Sequence, residues 1–488
     1  MLEEYFKKFK QNIIGENQTF NSPFGEKKIT YADWTASGKM YQPLEDTILN
    51  NILPWVANTH TETTVTGTAM TQAYHEAKKI IKKHVNADKN DVLVFAGSGM
   101  TGVVNKLQRI LGFKYPENFN EFLKHDIQFD EDKLPVVFVS HMEHHSNQTS
   151  WLETCAIVEI IQQNEKGELC LNDLKEKLIK HTSRKIKIAS ITGCSNVTGI
   201  KTPYHEVAEI MHLNDGLCFV DFACSGPYVK IDMHPENINQ RLDAIFLSPH
   251  KFLGGPGTSG VMVFNSSLYK MKVPDQPGGG TVLFTDPWGN HAYYDDIESR
   301  EDGGTPPFLQ GIRTALAVRL KEEMGIENIL KREEELIELV FKGLEKIPNL
   351  HILANENKNR LGVFSFYVEN VHYNLIVKLL NDHFGIQTRG GCACAGTYGH
   401  ILLNVNKELS NQITCEILKG NQGGKPGWVR MSIHPTMTNN EIRFITESIK
   451  FVVENIDNLR KDYTYNSTSN EFSFNGESEN VDIHSWFN

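Results

Sequence analysis

Lys251 closes the apolar run Asp243-Ala-Ile-Phe-Leu-Ser-Pro-His-Lys251 and is followed by Phe-Leu-Gly-Gly-Pro-Gly-Thr-Ser-Gly260. Little side-chain bulk crowds a lysine in that setting. If desolvated it has a lowered pKa and can form a Schiff base; the ordinary alternative is a solvated strand-end amine. Thirty positions earlier, Asp221 ends Leu-Cys-Phe-Val. An acid at the end of a buried strand needs a partner, either the next turn that it caps or a cationic ring nitrogen. A third element is Gly97-Ser-Gly-Met-Thr-Gly102, between an apolar run and a helical pattern. Such a turn presents free N–H groups and a positive dipole end to a phosphate, though many are only helix starts. It is neither a Walker loop nor a Gly-x-Gly-x-x-Gly fingerprint. An anion cradle, a buried acid and an accessible lysine together meet the needs of pyridoxal phosphate (PLP).

Two further clusters carry reactive groups. Glu143-His144-His145-Ser-Asn147 follows another apolar run. Adjacent histidines can bind zinc, but no complete metal-ligand spacing is present, and a His stacked on a planar cofactor fits the other parts better, so no metal is expected. Arg389-Gly-Gly-Cys392-Ala-Cys394-Ala-Gly396 places two thiols in a Gly-flanked loop. A loop cysteine is a candidate nucleophile; one Cys-x-Cys pair cannot fill a four-ligand shell. Arg430, in Gly-Trp-Val-Arg-Met-Ser432, is either an exposed strand arginine or a bidentate clamp for a substrate carboxylate.

These groups need a scaffold that gathers strand ends. Short β-rich runs at 91–96, 135–140, 156–161, 188–192, 217–221 and 243–248 alternate with helical segments at 171–181 and 204–213. Continuous apolar strands with crossover helices predict a mostly parallel sheet covered on both faces, which binds ligands at its strand C-termini. Residues 310–347 read as one long charged helix, followed by shorter strands at 361–368 and 428–433 and a helix at 440–459. That is a smaller α+β domain. The expected organisation is an N-terminal segment 1–40, a large domain 41–312, a small domain 313–462 and an acidic, Ser/Asn-rich tail 463–488 that is expected to be disordered. Residues 114–133 and 404–425 read as surface insertions.

Composition excludes other classes. Over 488 residues, 49 basic against 60 acidic side chains give −11, the wrong sign for a nucleic-acid binder. Eight cysteines are too few for a disulfide scaffold and read as reduced thiols. Glu3 and Glu4 interrupt any basic leader and no run reaches the length of a membrane span, so a cytoplasmic protein with no membrane partner is expected.

Together the motifs resemble the class V aminotransferase family of fold-type I PLP-dependent enzymes, nearest its cysteine desulfurase and selenocysteine lyase branch. The similarity spans about residues 31–459. It implies an α/β fold-type I transferase, with a mostly parallel seven-stranded sheet in the large domain and a smaller α+β C-terminal domain. It further implies that Lys251 carries the cofactor, Asp221 faces the pyridine nitrogen and His144 stacks on the ring. Asn196, in Ser-Asn-Val-Thr-Gly199, lies near the phenolic oxygen and the substrate. Met100, Thr101, Ser248 and His250 hold the phosphate. Gly304-Thr305-Pro306 matches a segment that crosses to a neighbouring subunit's phosphate, which brings in Thr305 and a homodimer. Asn58 and His60 match an Asn-x-His at the site mouth, and Arg430 matches the substrate-carboxylate arginine.

The implied activity takes sulfur or selenium from L-cysteine or selenocysteine, leaving alanine and a persulfide on Cys394, with a protein as the sulfur acceptor. His144 or a nearby cation would help that thiol ionise. The alternative is another class V enzyme, an aminotransferase or C–S lyase, that acts on a different amino acid without a persulfide. This chain departs from the family at Cys224, where a Gln is usual, and in offering both Cys392 and Cys394.

Overall fold

The computed structural model describes residues 1–125, 128–477 and 481–488. They divide into two compact units: Ser37–Ser195 with Lys201–Ile326, and Met1–Ala36 with Asn196–Ile200 and Glu327–Asn488.

The larger unit is built on seven strands: β1 Asp91–Ala96, β2 Val136–Ser140, β3 Ile157–Ile161, β4 Lys187–Thr192, β5 Leu217–Asp221, β6 Ala244–Leu247 and β7 Gly260–Asn265. Their order across the sheet is β1-β7-β6-β5-β4-β2-β3. The pairs from β6 through β3 are all parallel, and β7 runs antiparallel to both β1 and β6. The runs Val-Val-Phe-Val and Ala-Ile-Phe-Leu are wholly buried, as strands covered on both faces must be. The helices of this unit include α1 Val65–His84, α2 Met100–Ile110, α3 His145–Leu152, α4 Leu171–Lys180, α5 Tyr204–His212 and α6 Phe308–Met324. Val103, Val104 and Leu107 of α2 pack with Trp151 of α3 and Phe219 and Phe246 of the sheet in one core cluster. β7 is the strand that the sequence runs above did not single out.

The smaller unit holds an antiparallel sheet of β8 Leu350–Ile352, β9 Val363–Val368, β10 Arg389–Gly391 and β11 Trp428–Ser432, in the order β8-β9-β11-β10. Its helices include α7 Ile326–Leu344, α8 Tyr373–Phe384, α9 Gly396–Leu402, α10 Lys407–Leu418 and α11 Asn439–Glu454. A capping box of Thr438 and Glu441 starts α11.

Three expectations are corrected. The single long helix is two, because Gly325 at φ +76° ends α6, and the chain returns to the smaller unit at Glu327 rather than at residue 313. The N-terminal segment is not separate: Phe6 and Phe9 are buried, Thr30 pairs with Ile386, and Lys10 Nζ lies 2.6 Å from Glu441 Oε1, all within the smaller unit. The tail, expected to be disordered, forms a hairpin of β12 Tyr463–Asn466 and β13 Glu471–Phe474. Its aromatic residues outweigh its polar bias: Tyr465 and Phe472 pack around His372, and Phe474 packs on Phe24. Residues 478–480 of that tail lie outside the described residues. The stretch 404–425 carries α10, which has no buried residue, in keeping with a surface insertion. No helix among the described residues is long and apolar enough to cross a membrane.

Candidate active site

In the larger unit the strand ends gather most of the expected residues. Asp221, at the end of β5, is 3% exposed, and its Oδ1 accepts a 2.8 Å bond from the Ala223 N–H. Burial raises its pKa to about 6, against the lowering effects of that bond and of the Lys251 charge. Lys251 ends a single tight turn, Pro249–Lys251, directly after β6, so acid and amine lie at neighbouring strand ends and feel one another. Beside it, His250 is pushed down to about 4 by burial and by the Lys251 charge, and stands as a neutral imidazole at pH 7.

The Gly97–Gly102 turn leads into α2. Gly97 needs its left-handed φ of +57°. A Cβ on Gly99 would lie 3.0 Å from Ser248 Oγ and 3.5 Å from His250 Nε2, so the glycine leaves room between backbone and side chains. Ser248 Oγ accepts the Met100 N–H at 2.9 Å, and Thr101 Oγ1 meets Ser146 Oγ at 2.6 Å. Met100, Thr101, Ser248 and His250 thus form one polar cradle at a helix N-terminus, suited to a phosphate.

His144 caps α3, its Nδ1 accepting the Ser146 N–H at 3.1 Å. That acceptor role leaves the proton of the neutral ring on Nε2. Cys224, in the position where the family has Gln, is buried, and its Sγ donates to Ser195 O at 3.8 Å. Thr305, Asn58 and His60 are exposed, with Gly304 at φ +79° and His60 at φ 64°.

The smaller unit holds the remaining expected residues. Asn196 Nδ2 donates to Ala393 O at 2.7 Å, while its buried Oδ1 has no partner. This bond anchors the cysteine loop between β10 and α9, where Ala393 and Cys394 both have positive φ, +50° and +56°. Such torsions are costly for side-chain-bearing residues and aim the loop sharply. Arg430, on β11, is 3% exposed rather than exposed at the surface. Its Nη2 donates to Asp33 Oδ1 at 2.6 Å and its Nη1 to Asn196 O at 3.4 Å, leaving a buried Nε without a partner.

Sequence reasoning gave no role to three residues that shape these sites. Asp33 holds Arg430 from a segment nearly 400 positions away in the chain, and no local pattern marks that pairing. Glu143 stands in a motif whose histidines are the obvious reactive groups, and nothing local marks its burial. Lys321, buried on α6, donates to Gly226 O at 2.7 Å and Val229 O at 2.6 Å, just after the Asp221 turn. Its position on the inner face of a helical pattern was the one signal available.

An acid at the end of β5, an amine in the turn after the next strand and a glycine-opened anion cradle make a donor set that fits PLP: acid for the ring nitrogen, amine for the aldehyde, cradle for the phosphate. The sequence model of the family described as "Aminotransferase class-V" matches residues 30–445. The chain belongs to the class-V aminotransferase family and is, with it, a PLP-dependent enzyme. It is 26% identical over 387 residues to a "Probable cysteine desulfurase" of Staphylococcus aureus, covering 78% of this chain and 87% of the relative. Its fold is similar to the apo cysteine desulfurase of Thermococcus onnurineus NA1, with a TM-score of 0.71, 21% identity and coverage of 92% and 98%. It is also similar to the Escherichia coli cysteine desulfurase CsdA, with a TM-score of 0.66, 21% identity and coverage of 87% and 94%.

Proposed function

We propose that this enzyme is a cysteine desulfurase, moving sulfur from L-cysteine, or selenium from selenocysteine, onto Cys394 and releasing alanine. The observation that carries the reading is the cysteine loop: Cys394 sits at positive φ beside Ala393, whose carbonyl the Asn196 side chain holds at 2.7 Å. A nucleophile on a sharply turned, anchored loop is positioned for attack on a substrate sulfur. The desulfurase relatives support the same reading.

What PLP supplies when bound is an electron sink for the pair left at the substrate Cα. Asp221, ionised above its pKa of about 6, holds the proton on the ring nitrogen that makes the sink effective. The Gly97–Gly102 cradle with Ser248 and His250 would hold the phosphate, and His144 would stack on the ring. The Lys251 amine removes the Cα proton. The Arg430 guanidinium, oriented by Asp33, takes the substrate carboxylate through its unpaired Nε. The Cys394 thiolate forms a bond to the substrate sulfur as the carbon–sulfur bond breaks, so cysteine and enzyme thiol become alanine and enzyme persulfide. A sulfur-acceptor protein then discharges the persulfide. Thr305, exposed beside Gly304, serves the phosphate of a second copy, which makes the enzyme a homodimer. Asn58 and His60 border the substrate entrance. None of the eight cysteines forms a disulfide, which supports the reading of a cytoplasmic, reducing location.

The test is a comparison of the PLP-loaded enzyme with its Cys394→Ala variant on L-cysteine, reading alanine, sulfide and keto acid in parallel. Alanine and sulfide from the wild type, lost in the variant, are the expected result. Keto acid, or release unchanged in the variant, would favour an aminotransferase or C–S lyase instead.

A further inference from the structure

Glu143 is 1% exposed and makes four hydrogen bonds to three elements. Its Oε1 accepts from the Ser140 N–H at 3.2 Å and Ser140 Oγ at 2.5 Å at the end of β2, and from the Thr192 N–H at 2.8 Å at the end of β4. Its Oε2 accepts from Asn147 Nδ2 at 2.8 Å on α3. Asn147 is itself fixed, its Oδ1 taking the Ser190 hydroxyl at 2.7 Å and Trp151 Nε1 at 3.2 Å. Thr192 is the register partner of Asp221 on β5. One carboxyl group therefore ties the turn that carries His144 to the strand beside Asp221.

A buried group with this many donors costs a great deal to leave half-paired, so its presence fixes the geometry around it. The charge that acts on it is Asp221 on β5, which in turn feels Lys251 after β6, while His141 and His144 flank it in its own segment. Burial, and secondarily the Asp221 charge, push the Glu143 pKa up to about 8, against the lowering effect of its hydrogen bonds. Two acids thus share one buried neighbourhood, and the ionised Asp221 disfavours the ionisation of Glu143.

We propose that Glu143 is a positioning residue of the cofactor pocket: it pins the His144 turn to the end of β4 and, as a second buried acid behind Asp221, governs how strongly the bound ring keeps its proton. This rests on the reading that the larger unit takes PLP. When Glu143 ionises, the added negative charge favours the protonated ring. When it is neutral, Asp221 acts alone.

The experiment titrates the visible absorption band of the full-length, PLP-loaded protein against pH, for the wild type, Glu143→Gln and Glu143→Asp. Gln keeps the acceptor facing Ser140 and Thr192 but removes the charge, whereas Asp keeps the charge. The wild-type profile is expected to need two ionisations, one of them near pH 8. In Glu143→Gln the step near pH 8 disappears, and the remaining midpoint falls by about 0.5–1 unit. Glu143→Asp retains both steps. A wild-type profile fitted by one ionisation overturns the proposal without recourse to any variant, and so does a Glu143→Gln profile identical to the wild type. A wild type that shows no visible band with added PLP would instead remove the functional reading on which the proposal stands.

Discussion

Lys321 offers a perturbation whose size follows from its surroundings. It is 3% exposed, and burial lowers its pKa from 10.5 to about 7, the nearby Glu322 opposing this weakly. Its amine is held by Gly226 O, Val229 O and His84 Nε2, the last at 3.2 Å. Between pH 7 and 10.5 the unfolded chain keeps a proton on this amine that the folded chain loses. Stability therefore rises with pH across that window, because the unfolded state binds more protons. The slope approaches about 1.4 kcal/mol per pH unit, and less near pH 7 where the folded amine is still half-protonated, so the rise from pH 7 to 9 is about 2 kcal/mol. Lys321→Met removes this contribution, and with it the charge that, after burial, holds His84 down to about 4; in the wild type His84 is neutral throughout the window. The assay is urea unfolding of the cofactor-free protein and the variant at both pH values, in reductant. The wild type should gain about 2 kcal/mol more than the variant on going to pH 9. If the two gain equally, the amine is not buried at a depressed pKa and the reasoning fails, whatever the net cost of the substitution.

Two other outcomes are expected. Gly99→Ala forces a Cβ to within 3.0 Å of Ser248 Oγ, so it should weaken PLP retention about tenfold in an equilibrium dialysis series, with little change in the melting point of the cofactor-free protein. Tyr463→Phe removes the 2.9 Å bond from the tail hairpin to Asp382 Oδ2, a carboxylate 1% exposed, and should cost about 2 kcal/mol in urea unfolding.

Much of the larger unit was legible because its strands are short, wholly apolar and separated by helical patterns, and because chemical groups stand at their ends. Asp221 and Lys251 could be placed at neighbouring strand ends from spacing alone. What escaped depended on distant partners. The N-terminal segment joins the smaller unit through Thr30 against Ile386 and a bridge from Asp33 to Ser432, pairings set by tertiary closure and by no local signal. The tail hairpin was obscured by its Ser and Asn content, although Asn466 Oδ1 caps its turn by accepting the Thr468 and Ser469 N–H groups. Sequence alone leaves Arg430 as either an exposed strand arginine or a carboxylate clamp, because its burial and its Asp33 partner are properties of the assembled sheet.

The reversed strand β7 also sets a clock for the growing chain. It pairs Asn265 with Asp91 and Gly260 with Ala96, and so joins the Gly97–Gly102 turn to the strand that leads to Ser248. Gly260 lies so close that a Cβ there would fall 2.3 Å from Gly99 O, so the cradle is closed by a residue made long after its first glycine. At roughly 5–20 residues per second, synthesis separates those two glycines by on the order of 10–30 s. During that interval β1 has neither its partner nor its anion-binding turn in final form. Cofactor capture therefore belongs to the end of folding of this unit, and a chain stopped before residue 265 would expose the β1 edge to aggregation instead of holding PLP.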